Sequence, residues 1–194
     1  MVPSALLRWL LTVDFGAVTA WFAFGLGLAG SRRGGVAPAG AGWLSDAAHA
    51  LLGVAMIAMI WSRTAVVVSG WFPAAAFASA AAWFLGRAWT AARWSPYHAR
   101  ANLHHTVMAA SMAWMAIAAP ATPMPHHAGH SPPAVGVLLG GYFLIAVPLW
   151  IIAAIGIGGG GTVDRRNFDA ARHAEAACHA AISLGMGVLL LTAA

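Results

Sequence analysis

Residues 133–156 read PAVGVLLGGYFLIAVPLWIIAAIG, 24 positions without one charged side chain. A hydrocarbon core about 30 Å thick is crossed by about 20 apolar residues of helix, so this stretch reads as a membrane span. The rest of the chain agrees. Of its 194 residues 61% are hydrophobic and 8% charged, with mean hydropathy +0.76. A soluble domain carries charge on about 25% of its residues. An all-α integral membrane protein follows.

Further runs of spanning length complete a set of six, roughly 5–28, 43–62, 65–86, 98–119, 133–156 and 171–193, taken together as a single membrane domain over 1–194. Between them lie SRRGGVAPAGAG, a tight Ser62-Arg63-Thr64 turn, RAWTAARWSPYHAR, PATPMPHHAGHSPP and IGGGGTVDRRNFD. Gly, Pro and charge clusters of this kind mark loops. The first run has Arg8 near its start, as a signal peptide does. It is long, holds Asp14 and lacks a small-x-small cleavage site, and so reads as a retained span.

The basic excess, net +5, comes from ten Arg and no Lys. Those arginines are scattered in short loops and form no nucleic-acid stripe. They read as topology signals. Arg32, Arg33, Arg87, Arg93, Arg100, Arg165, Arg166 and Arg172 share one side, and Arg8 and Arg63 the other. The positive-inside rule makes the first side cytoplasmic, which puts both termini and the histidine-bearing loop outside. Trp43, Trp61, Trp83 and Trp94 near span ends fit interfacial anchoring. High Ala, Gly and Arg usage without Lys fits a high-GC bacterial genome, and hence a multi-pass protein of the bacterial cell membrane.

The chemistry-bearing residues recur on the even spans. His49 and Met56, His105 and Met112, and His179 and Met186 are each spaced H-x6-M. Seven residues is nearly two turns, so each pair shares a face about 10.5 Å apart along the axis. Met59 and Met115 follow three residues on in spans 2 and 4, where span 6 has Leu189. The even spans run in one direction, so the imidazoles fall at one depth and the thioethers at another. Asp46, Asn102 and Glu175 precede the histidines by three or four residues, on the same face. Metal-bound imidazoles give their second nitrogen to such acceptors. His104 and Cys178 stand just ahead of the main histidines, Met108 follows the span-4 pair, and Asp14 is a further intramembrane acid somewhat outward of the histidine level.

Thioethers select Cu(I), and imidazole suits copper, zinc and iron. The expected cofactor is copper, with Met124, His126, His127 and His130 of the outer loop as a capture site. Each element also has a plainer account. A single methionine in such a helix is ordinarily packing. Asp14 and Asp46 serve equally as helix glue, and Glu175 and His173 lie near a solvated end. Intramembrane histidines are costly and tend to be functional, which tips the balance toward a site. The IGIGGGG run lacks the Lys of a phosphate loop and reads as a linker. Gly25, Gly27 and Ala29 fit close helix packing. Two other chemistries stay open: an intramembrane zinc hydrolase, with three histidines on zinc and Asp14 or Asp46 as base, and a b-type haem protein with two axial histidines.

The motifs HAxxxxxMxxM (from His49), HHxxMAxxMxWM (from His104) and CHxxxxxxM (from Cys178) resemble an uncharacterised actinobacterial multi-pass membrane family, a domain of unknown function. The resemblance implies a helical membrane protein with metal association, and supplies no activity.

Overall fold

The computed structural model describes residues 4–31, 42–61, 70–118, 133–155 and 166–193. These form six α-helices: α1 (Ala5–Ser31), α2 (Gly42–Ile60), α3 (Trp71–Ala91), α4 (Pro96–Ala118), α5 (Pro133–Ile155) and α6 (Arg166–Ala193). There is no strand among the described residues. Three helices are long and apolar enough to cross a membrane, over Ala5–Leu26, Ala134–Ile155 and His173–Thr192. In α2 the apolar part is shorter, Asp46–Ile60. Neither α3 nor α4 meets the same measure. In α4 the reason is visible, since Arg100, Asn102, His104, His105 and Thr106 follow one another through its first half.

One of the expected loops is mostly helix, and another gives its last residues to one. In RAWTAARWSPYHAR, α3 runs on to Ala91 and α4 already starts at Pro96, leaving only residues 92–95 as the connection. Ser95 caps the new helix: its Oγ accepts the His98 backbone N–H at 3.4 Å and meets the His98 Nδ1 at 2.8 Å. Pro96 takes the first helical position, where its missing N–H costs nothing and its ring pre-sets φ. Likewise α6 starts at Arg166, five residues before the expected 171. The Ser62-Arg63-Thr64 turn and the start of the third run lie outside the described residues.

The chain divides into two compact units, Met1–Ile60 with Pro132–Ala194, and Trp61–Ser131. In the first, α1 packs on α2 and α6, and α6 packs on α5. Ser4 caps α1 by accepting the Leu7 N–H at 3.0 Å. Leu11, Phe15, Val18 and Phe22 recur three and four apart on α1 and are buried, while Leu10, Val13, Trp21 and Phe24 face outward. Glycines allow the backbones to meet. A Cβ on Gly140 would stand 3.2 Å from the Gly187 carbonyl oxygen, and one on Gly187 3.3 Å from that of Gly140. Side chains there would force α5 and α6 apart.

The second unit is the hairpin of α3 on α4. Its open end is tied by the Gly70 N–H, which donates to the Ala116 carbonyl at 2.8 Å. Gly70 has φ 103°, a conformation that other residues rarely adopt. Ala74, Ala81, Phe84 and Ala88 of α3 are buried, as are Ala101, Met108, Ala109, Met112 and Ala116 of α4.

Candidate metal centre

Within the first unit, antiparallel pairings fix depth. Gly25 of α1 lies beside Asp46 of α2, Phe22 beside His49, and the Phe15–Thr19 turn beside Gly53. On the other flank, Gly185 of α6 lies against Asp14 and Phe15, and Gly140, Leu144 and Trp150 of α5 lie against Leu191, Gly187 and His179 of α6. Both α2 and α6 therefore run opposite to α1, and in the same direction as each other. Following these pairings, Met56 and Met186 both come level with Phe15, and both are buried.

The histidines form a level of their own. The rings of His49 and His179 stand 6.2 Å apart, centroid to centroid, and both are almost wholly buried. Phe22 stacks on His49 at 4.3 Å and 19°, and Trp150 packs on His179 at 4.6 Å. Glu175 Oε1 is 3.6 Å from His179 Nε2, within ion-pair reach and just beyond a hydrogen bond. Ser183 Oγ donates to the His179 carbonyl at 2.6 Å, holding that turn of α6. Cys178 is a half-buried free thiol. The spacing of the two rings suits a shared ion. A metal–nitrogen bond is about 2 Å and a ring nitrogen stands about 1 Å from its centroid, so an ion held linearly sets the centroids about 6 Å apart.

Asp14 lies at the thioether level, away from the histidines along the axis. Its Oδ2 is buried and has no hydrogen-bond partner among the described residues, and a Cβ on Gly185 would come within 2.7 Å of it. Asp46 sits near the histidine level, with its Oδ2 3.4 Å from the position of a Gly25 Cβ.

The third histidine belongs to the second unit. His105 packs on Phe84 at 5.0 Å, and the His104 ring is 6.1 Å from that of His105; both are buried. Met108 and Met112 share this buried face of α4, and Met115 is half-buried, as is Met59 on α2. Asn102 turns its amide back to the His98 carbonyl at 2.7 Å, and so spends its donor on its own helix. The outer-loop residues Met124, His126, His127 and His130 lie outside the described residues.

Among the described residues, no group of three or more His, Cys, Asp or Glu side chains is arranged to hold a metal ion. What the structure brings together is a pair of imidazoles with a level of thioethers about 10.5 Å further along the axis. Sequence reasoning missed the aromatic walls, Phe22 and Trp150, and the Ser183 tie. Ser183 had a signal, lying four residues after His179 on the same face. The two aromatic partners come from other helices and had none.

No curated protein and no solved structure matches the chain. One family does, over residues 41–193, which takes in α2 through α6 and every histidine of the two buried pairs. The chain belongs to that family, described as a domain of unknown function (DUF5134).

Proposed function

We propose that this is a membrane protein that binds Cu(I), with His49 and His179 as its nitrogen ligands and Met56 and Met186 as sulfur donors further along the same two helices. The observation that carries the reading is the buried imidazole pair, 6.2 Å between centroids on two co-directional helices. Cu(I) accepts few ligands, so the histidine pair is a sufficient set, and the thioethers about 10.5 Å further along the axis form a separate stopping point. Soft sulfur donors bind it without releasing a proton. With Nε2 of His179 turned to Glu175, Nδ1 is the nitrogen through which it binds, and the carboxylate strengthens it. The role is binding, uptake or delivery: the outer loop with Met124, His126, His127 and His130 captures the ion, the thioether level passes it inward and the histidines hold it. His104, His105, Met108 and Met112 add a second buried His/Met surface of the same composition. With no phosphate-binding loop in the sequence, pumping would draw on another energy source.

The test is elemental analysis of the full chain, purified in detergent after loading with Cu(I), beside an absorption spectrum. Near-stoichiometric copper that falls at least tenfold in H49A/H179A is expected; the same copper content in both proteins overturns the reading. A second reading rests on the same pair, since two facing histidines are also the axial ligands of a b-type haem. A Soret band in the purified protein would replace copper with haem. The zinc hydrolase needs a third converging donor and finds less support in the described residues. Bound zinc, indifferent to M56L/M186L, would favour it.

A further inference from the structure

The second unit carries a feature that metal binding leaves unused. Residues 61–131 hold four arginines and no acid at all. Three of the four, Arg87, Arg93 and Arg100, gather around the tight 92–95 corner between α3 and α4. Arg93 and Arg100 are exposed, as are Trp89 and Trp94. The Arg87 guanidinium lies over the Trp83 ring at 5.2 Å, and its Nε is buried without a hydrogen-bond partner among the described residues.

The depth of this corner follows from α3. At its other end Trp71 and Phe72 are strongly exposed aromatics, 79% and 88%. From Trp71 to Trp89 the helix rises about 27 Å, close to the thickness of a hydrocarbon core at about 30 Å. No charged residue occurs between Trp71 and Gly86. Aromatic residues flanking a stretch that is uncharged as far as Gly86 are spaced as anchors at the two lipid–water boundaries would be. The arginine corner therefore sits at one boundary, at headgroup level, where the arginine count of the loops predicts the cytoplasmic leaflet.

The geometry points to this corner as a binding site for the phosphate of an anionic phospholipid headgroup, with Arg87, Arg93 and Arg100 as its cations. A guanidinium stacked on an indole keeps its N–H edge for an oxyanion, and its planar fork matches two phosphate oxygens. The indoles of Trp89 and Trp94 hold the backbone at the depth where the phosphate lies. No carboxylate of this unit competes for the arginines. A zwitterionic lipid brings its own ammonium and gains less.

The test is lipid retention. The full chain is reconstituted into vesicles of equal phosphatidylglycerol and phosphatidylcholine, re-extracted in mild detergent, and its co-purifying lipids are counted per chain. Phosphatidylglycerol is expected to be enriched, with each arginine contributing about fivefold. R93Q alone should lower the enrichment by about that factor, and R87Q/R93Q/R100Q should abolish it with copper binding unchanged. Equal retention of the two lipids by the native chain, or full enrichment in the triple variant, overturns the proposal. So does displacement of the lipid by excess inorganic phosphate, which would make the corner a site for free anions.

Discussion

The two units solve the same packing problem in different ways. In the first, helices meet through glycine: Gly53 against α1, Gly185 against Phe15, Gly140 against Gly187. The same helices carry Asp14, Asp46 and Glu175, half-buried, and His49 and His179, buried. In the second, alanines and Phe84 make the contact, and Gly86 meets nothing within 4 Å. That unit has no acid, and its charge gathers at one exposed corner. Close backbones go with an inward polar site in one case. Side-chain contact, with His104 and His105 buried in it, goes with an exposed arginine corner in the other. If this contrast is physical, equal substitutions in the two units should give unequal results.

The largest difference is expected at Gly185. A Cβ there would come 2.5 Å from Phe15 Cζ and 2.7 Å from Asp14 Oδ2, and valine adds two methyl groups beyond it. Overpacking of this kind costs about 3 kcal/mol or more. Gly185→Val should abolish monodisperse protein or lower its thermal midpoint by many degrees. Gly16→Ala on the neighbouring helix, where a Cβ meets nothing within 4 Å, should leave the midpoint nearly unchanged. Similar midpoints for the two variants would break the contrast.

Next in size is the carboxylate beside His179. Removing an outer partner of a metal-bound imidazole costs about 10–100-fold in affinity. Glu175→Ala should therefore weaken copper binding by that factor in a competition titration with a chelator of known strength. Asn102→Ala, which sequence spacing ranks as equivalent, should change the affinity less than threefold. Asn102 donates its Nδ2 to the His98 carbonyl and stands on the helix of His105, in the second unit, whereas Glu175 faces an imidazole of the proposed pair. Equal losses would show that the second unit holds the ion as firmly as the first.

Much of this was legible in the sequence, because length and charge alone decide whether a helix can cross a bilayer. Three of the six helices meet that rule outright. The H-x6-M repeat set His49, His105 and His179 at one level; the rings of His49 and His179 do stand 6.2 Å apart, while His105 belongs to the second unit. Helix ends were less legible. Arg87, Thr90, Arg93 and Trp94 look like loop residues by polarity, yet the first two lie in α3, because exposed or half-buried polar side chains leave helical backbone bonds intact. Only Ser95-Pro96 carried the true signal. Lateral neighbours were not legible at all. Spacing reports which residues share a face and at what depth, but not which helices stand side by side, so Phe22 and Trp150 could not be foreseen as walls of the site.

That Ser95-Pro96 signal gives a smaller prediction. Ser95→Ala removes the oxygen that accepts the His98 N–H and should cost about 1 kcal/mol. The loss should appear as faster hydrogen exchange at residues 96–99, with α1 and α6 unaffected. Uniform exchange across the chain would mean that the corner is held by something other than its cap.

The smallest effect is the most discriminating, because it should have the opposite sign. Gly86 lies in the interior of α3, where glycine costs about 1 kcal/mol relative to alanine through the entropy of the unfolded backbone. Nothing stands within 4 Å of its missing Cβ, so Gly86→Ala has only that entropy to recover. It should raise the thermal midpoint slightly. The same exchange at Gly187 recovers the same entropy and then drives a Cβ to 2.8 Å from Leu144 Cδ2 and 3.3 Å from the Gly140 oxygen. Leucine can turn aside and the backbone cannot, so Gly187→Ala should lower the midpoint. A glycine kept for close approach and a glycine merely tolerated are thus told apart by sign. Were both variants to shift the same way, the glycine contacts of the first unit would no longer account for its close helix approach.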